Sequence, residues 1–138
     1  MQEIFVDTGA WAALADSWDS HHKAALAFRD KMLGQYQIII TNYILDELYT
    51  LLLLNTGYNA TVSFKKQIDV LIASDVIRVV WITEELALQS WAIFEKFNQD
   101  KAWSFTDCVS YQIMQVRGIR EVFAFDHHFE QMGYVRRP

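Results

Sequence analysis

Short apolar segments alternate along this 138-residue chain with longer stretches of helical periodicity. Five segments are expected to be strands, the last of them short: residues 4–6, 36–40, 76–81, 122–125 and 134–136. Parallel strands need helical crossovers, and strands covered on both faces by such helices are apolar throughout. The pattern therefore predicts an α/β fold with three layers, α/β/α, around a short, mainly parallel central sheet.

Capping residues and glycines mark the helices between these strands. A short helix should follow residue 9, and longer ones are expected over residues 21–32, 42–56, 59–74, 84–98 and 104–117. Thr41 or Asn42 can cap the third of these helices, and Asn59 the next. The four leucines at 51–54 are apolar on all sides of their helix, which indicates either a core position or half of a subunit interface.

The whole chain, residues 1–138, is expected to form a single domain. It is long enough for one core and contains one proline, no repeat and no low-complexity tract. No apolar stretch approaches the roughly 18–20 residues of a membrane span, and the N-terminal segment lacks the pattern of a signal peptide. We therefore expect a cytoplasmic protein that does not bind membranes, in which the single cysteine, Cys108, is a buried apolar side chain.

Acidic side chains follow the predicted strands. Asp7 and Asp126 are the first polar residues after two of them, and Glu47 lies early in the helix that follows the second strand. Reactive groups of a parallel sheet collect at the carboxyl ends of its strands, so these three acids should share one edge. Asp107 reaches that edge only if its helix begins there.

Each acid also has a purely structural interpretation. Asp7 can support the turn at Gly9, Asp107 fits a capping box with Ser104, and Asp126 can cap a short helix. Glu47, like its neighbour Asp46, can be a solvated surface residue. Taken singly, each of these interpretations is at least as good as catalysis. Independent caps, however, have no reason to alternate with strands so that several of them share one edge.

Four ordered motifs sharpen this interpretation. They are the hydrophobic segment that ends in Asp7-Thr8-Gly9, the segment from Thr41 to Leu48 that contains Glu47, Ser104-Phe105-Thr106-Asp107-Cys108, and Phe125-Asp126-His127-His128-Phe129. In these motifs, which extend over nearly the whole chain, the sequence resembles PIN-domain nucleases, in particular the VapC-type toxin ribonucleases of toxin–antitoxin systems.

The resemblance implies a site and an activity. Asp7, Glu47 and Asp107 correspond to the central metal-binding acids of the family, and Asp126 to its more variable fourth. Thr8, Ser104 and Thr106 stand where the family often has hydroxyls near the acids. The implied function is a divalent-metal-dependent endoribonuclease that hydrolyses RNA phosphodiester bonds, forms a homodimer and is inhibited by a cognate antitoxin protein.

The residue chemistry indicates which cation would bind. Four neighbouring carboxylates repel one another, and a divalent cation removes the conflict. Oxygen-only ligands suit Mg²⁺, with Mn²⁺ as the second candidate, and no Cys or His stands at zinc-ligand spacing. No other cofactor is expected. The net charge of −5 has the wrong sign for holding nucleic acid by bulk electrostatics, which argues against tight nonspecific binding.

Further side chains and two other functions bear on this hypothesis. His127 and His128 are expected at the surface or as caps, and Trp11 is the best candidate for an aromatic rim of the site. A phosphatase with an aspartyl nucleophile would have a second Asp two positions after Asp7, where Gly9 stands. The alternative from another class is a catalytically silent PIN-like module that binds RNA or protein, which loss of a central acid would favour.

Overall fold

The computed structural model describes all 138 residues and contains five strands and seven helices. The strands are β1 (Gln2–Val6), β2 (Tyr36–Thr41), β3 (Ile77–Val80), β4 (Glu121–Phe123) and β5 (Val135–Arg137). The helices are α1 (Thr8–Ala15), α2 (His22–Met32), α3 (Asn42–Thr56), α4 (Tyr58–Ala73), α5 (Glu84–Phe97), α6 (Phe105–Arg117) and α7 (His128–Gln131).

The strands form one sheet in the order β3-β2-β1-β4-β5, and every pair is parallel. In β1, the consecutive residues Ile4, Phe5 and Val6 are all fully buried. Because successive side chains of a strand point to opposite faces, both faces of the sheet must be covered. The predicted α/β/α fold is thus confirmed, and the sheet is entirely parallel.

Two helix starts show how local sequence determines the elements. Thr41 caps α3 by accepting a hydrogen bond from the amide of Ile44 at 3.2 Å. The predicted cap at Asn59 is wrong, because α4 begins at Tyr58, and Gly57 forms the link between α3 and α4. With φ of 87°, Gly57 adopts a backbone conformation that residues with a Cβ rarely adopt, so the two helices can follow each other directly.

The end of α3 contributes to the core on one side only. Leu52 belongs to the core and Leu51 packs against it, whereas Leu53 and Leu54 are 53% and 78% exposed. A core position is therefore wrong for Leu53 and Leu54, and a role in a subunit interface stays a prediction. Cys108 is buried, as expected. No helix of the protein combines the length and the apolar character needed to cross a membrane.

Candidate active site at the carboxyl edge of the sheet

The central strand delivers Asp7 to the edge of the sheet. The amide of Asp7 continues the ladder by donating to the carbonyl of Phe123 at 3.0 Å, and its own carbonyl then accepts the first helical bonds of α1. Asp7 is thus the N-cap of α1, but its side chain makes no capping hydrogen bond. The side chain of Asp7 therefore does not cap α1, and its contact with the turn is limited to the Thr8 backbone.

The carboxyl group of Asp7 is buried and surrounded by other acids. Burial, together with the negative charges of Asp107, Glu47 and Asp126, raises its pKa from 3.8 to about 8, against the opposing effect of a hydrogen bond from the Thr8 backbone. No Lys, Arg or His forms an ion pair with Asp7. The structure thus brings the other three predicted acids within electrostatic reach of Asp7.

The capping box of α6 fixes Asp107. Ser104 Oγ accepts a hydrogen bond from the Asp107 amide at 3.0 Å, and Asp107 Oδ2 accepts one from the Ser104 amide at 3.2 Å. Because the charge of Asp107 acts on the carboxyl group of Asp7, α6 begins at the same edge of the sheet as α1. The cap and the proposed site are compatible, because the carboxylate that closes the cap also faces Asp7.

His128 connects two of the acids, a contact that the sequence did not predict. Its Nδ1 lies 3.0 Å from Asp107 Oδ2 and 3.3 Å from Asp126 Oδ1. Since carboxylate oxygens only accept, Nδ1 must carry the proton in these contacts. Asp126 Oδ1 also accepts a hydrogen bond from the His128 amide at 2.9 Å, which orders the turn after β4. The sequence predicted a surface or capping role for His128 and did not predict this contact with two acids.

The remaining predicted residues have different surroundings. Thr8 is buried, and its hydroxyl has no hydrogen-bond partner. Thr106 lies in the first turn of α6 and accepts a hydrogen bond at its backbone carbonyl from the Ser110 hydroxyl. Glu47 is exposed on α3, and so is its neighbour Asp46.

Trp11 is not at the rim of the site. It is 3% exposed, belongs to the core and contacts the ring of Phe64 edge to face. The prediction failed because α1 is enclosed on nearly all sides: Ala10, Ala12 and Ala13 are buried as well. The side chain of Trp11, one helical turn after Asp7, therefore points into the core and not to the surface.

The donor set fits a hydrated divalent cation. Asp7 is a buried carboxyl group without a cationic partner, and the unpaired hydroxyl of Thr8 is adjacent to it in sequence. No group of three or more His, Cys, Asp or Glu side chains is already arranged to hold a metal ion. Mg²⁺ commonly binds through one or two carboxylates and retains several waters, so an open set of acids suits it.

Removing the Ser104 hydroxyl should separate its capping role from its effect on the site. We expect Ser104→Ala to lower the free energy of unfolding by about 1 kcal/mol, because an amide of the first turn of α6 loses its acceptor. Thr83→Ala is the matched control, since Thr83 caps α5 through the Leu86 amide. In urea denaturation both variants should lose similar stability, but only Ser104→Ala should lower RNA cleavage. Equal activity of both variants would contradict a link between this cap and Asp107.

Comparison with known proteins supports the same interpretation. The PIN domain family matches residues 4–134. The chain is 33% identical over 137 residues to the 23S rRNA-specific endonuclease VapC20 of two Mycobacterium tuberculosis strains, CDC 1551/Oshkosh and ATCC 25618/H37Rv. Each match covers 98% of both chains.

Two solved structures resemble the fold. The crystal structure of M. tuberculosis VapC20, described as a sarcin-ricin loop cleaving toxin, has a TM-score of 0.87, 31% sequence identity and coverage of 99% of this chain and 100% of that one. FitAcB from Neisseria gonorrhoeae has a TM-score of 0.72 at 13% identity, covering 98% and 96% of the two chains, and shares the fold alone. The family match over nearly the whole chain, together with the acids at one edge of a parallel sheet, shows that this protein belongs to the PIN domain family.

Proposed function

We propose that this protein is a divalent-metal-dependent endoribonuclease and the toxin of a toxin–antitoxin pair. The observation that carries the proposal is the buried carboxyl group of Asp7, which faces the charges of three further acids and has no cationic side chain beside it. Such a cluster is costly to ionise unless a cation binds to it. The relatives named as a 23S rRNA endonuclease support RNA as the substrate.

Mg²⁺ is the proposed cation, with Mn²⁺ as a substitute. Asp7 and Asp107 would be direct ligands, and Asp126 would bind through water or to a second ion. When bound, the cation would polarise the scissile phosphodiester and lower the pKa of a coordinated water. Among the supporting residues, Ser104 and His128 hold the carboxylate of Asp107. The hydroxyl of Thr8, the residue after Asp7, is buried and has no hydrogen-bond partner within the protein.

Glu47 is the side chain best placed to handle a proton. It is exposed to solvent on α3, whereas Asp7 is buried. A solvent-facing carboxylate can orient the attacking water, accept its proton and release it to the bulk. Attack by water on phosphorus would leave a 5′-phosphate and a 3′-hydroxyl without participation of the RNA 2′-hydroxyl.

The proposed partners follow from the toxin role. A cognate antitoxin would block the acidic edge, and a second copy of the chain would form a homodimer, both acting in the cytoplasm. The exposed Leu53 and Leu54 at the end of α3 are apolar surface suited to either contact. Size-exclusion chromatography with light scattering gives the molar mass and so tests for the homodimer. Co-expression with an antitoxin candidate encoded next to this gene tests whether RNA cleavage is inhibited.

Cleavage of a mixed RNA substrate by the purified protein tests the proposed function. We expect cutting with Mg²⁺ or Mn²⁺, none with chelator, and a loss of about 10²-fold or more in Asp107→Asn, which replaces a proposed metal ligand. Asp46→Asn is the matched control, because Asp46 is an exposed acid next to Glu47, and it should cut normally.

Two results would contradict specific parts of the proposal. Products that end in a 2′,3′-cyclic phosphate would contradict attack by water. A wild-type protein that never cuts, even after release of any co-purified inhibitor, would favour a silent PIN-like module that binds RNA or protein.

A further inference from the structure

Four aromatic rings form a continuous cluster between α3, α5 and α6. Trp91 stacks on Phe94 with centroids 4.8 Å apart and an angle of 13° between the planes. Both rings lie 6.5 Å from Phe105, which in turn lies 6.0 Å from Tyr43. We call these four residues the aromatic platform.

The platform adjoins the acids. Phe105 is two residues before Asp107 in the first turn of α6, and Tyr43 is one turn before Glu47 in α3. The contact between Tyr43 and Phe105 therefore joins the two helix starts that carry these acids. If an RNA strand binds with one phosphate at the acids, its neighbouring nucleotides would lie next to these rings.

The platform is open to solvent. Trp91 is 49% exposed, and Leu88, one turn earlier on α5, is 66% exposed. The other three rings are partly buried, which holds them in place. The half-exposed ring of Trp91 therefore presents a flat apolar surface that a ligand can contact.

We infer that the aromatic platform binds unpaired bases of an RNA substrate by stacking, next to the bond that is cut. This inference rests on the proposed function and specifies the part of the substrate that the site recognises. With a net charge of −5, the protein cannot gain its RNA affinity from bulk electrostatics. Stacking on aromatic faces supplies affinity that does not depend on net charge, and it requires bases that are not paired within a helix.

Binding to an inactive protein tests the platform separately from catalysis. A fluorescein-labelled RNA hairpin with a large loop is titrated with Asp107→Asn protein, and its anisotropy gives the dissociation constant. Adding Trp91→Ala should weaken binding about 5- to 100-fold, the range expected for the loss of one stacked base. Adding Trp91→Phe, which retains a flat ring, should restore most of the affinity.

Two controls isolate the platform. Trp81→Ala removes a tryptophan that is 69% exposed but lies in a groove beside β3, and it should leave binding unchanged. A fully paired RNA duplex should bind the Trp91→Ala and parent proteins equally. In the cleaving protein, Trp91→Ala should raise KM for the loop substrate and leave the products unchanged.

Three results would overturn the inference. They are equal affinity of the Trp91→Ala and parent proteins, an equal loss in Trp81→Ala, and a loss that tracks dissociation of a dimer in sedimentation velocity, which would assign the platform to a second copy of the chain. Failure of the proposed function looks different, because the wild type would then not cut while the dependence of binding on Trp91 remained. Cutting by wild type without any dependence on Trp91 would instead refute the platform alone.

Discussion

Replacing Asp7 by asparagine is expected to abolish RNA cleavage and, without divalent cations, to stabilise the fold at alkaline pH. The activity loss should be about 10²- to 10³-fold or more, because the variant loses a buried carboxyl group that is proposed to bind the metal ion. The stability gain has a separate cause. Burial and three neighbouring acids raise the pKa of Asp7 in the folded protein from 3.8 to about 8.

The sign of the pH dependence follows from this raised pKa. The folded state favours the protonated carboxyl group, so the contribution of Asp7 to stability is full below pH 3.8 and is lost as the pH rises through about 8. Asparagine is neutral throughout and has no such loss. At pH 8 to 9 with chelator, the free energy of unfolding of Asp7→Asn should therefore exceed that of wild type by about 2–5 kcal/mol.

Urea denaturation of both proteins at pH 5 and pH 8.5 with chelator measures this difference. Asp46→Asn serves as the control, since Asp46 is exposed and its replacement should alter neither cleavage nor the pH profile. Parallel pH profiles for wild type and Asp7→Asn would show that Asp7 does not carry the buried charge. An active Asp7→Asn protein would remove this residue from the proposed site.

Divalent cations should produce the second large effect, a stabilisation of the wild-type protein. A ligand at 100 times its dissociation constant stabilises the folded state by about 2.7 kcal/mol. For a domain of this size that corresponds to a rise in Tm of roughly 10 °C. The rise should be larger at pH 8 than at pH 5.5, because protons compete with the cation for the carboxyl group of Asp7.

Differential scanning fluorimetry with Mg²⁺ or Mn²⁺, against NaCl of equal ionic strength, gives this shift directly. Chelator should reverse it, and Asp7→Asn and Asp107→Asn should each reduce it. Thr83→Ala is the matched control, because it weakens a helix cap whose hydroxyl bonds to the Leu86 amide and to none of the four acids, and it should retain the full cation-dependent shift. The same shift in wild type and in an Asp7→Asn/Asp107→Asn double variant would place the cation elsewhere.

Local sequence signals were sufficient for the framework of the fold. The alternation of apolar strands with capped helices predicted the parallel sheet, and Ser104 with Asp107 forms the expected capping box. Asp107 was harder to place, since spacing along the chain does not say at which end of the sheet a helix begins. Only the packed structure shows that α6 starts beside Asp7.

The side chains around the acids were predicted less well, for physical reasons. Trp11 was misplaced because helical spacing gives the direction of a side chain but not which sides of a short helix are covered. His128 was missed because its contact with Asp107 joins residues 21 positions apart. The one available signal was its position two residues after Asp126, where its amide can bond to that carboxylate.

The position of β1 at the centre of the sheet also constrains when this enzyme can become active during synthesis. β1 pairs with β2 on one side and with β4, more than a hundred residues later in the chain, on the other. The two acids bridged by His128 likewise lie in the last third of the sequence. A nascent chain that lacks this region cannot complete the sheet or bring the acids together, so a ribosome is not exposed to an active nuclease from its own unfinished product.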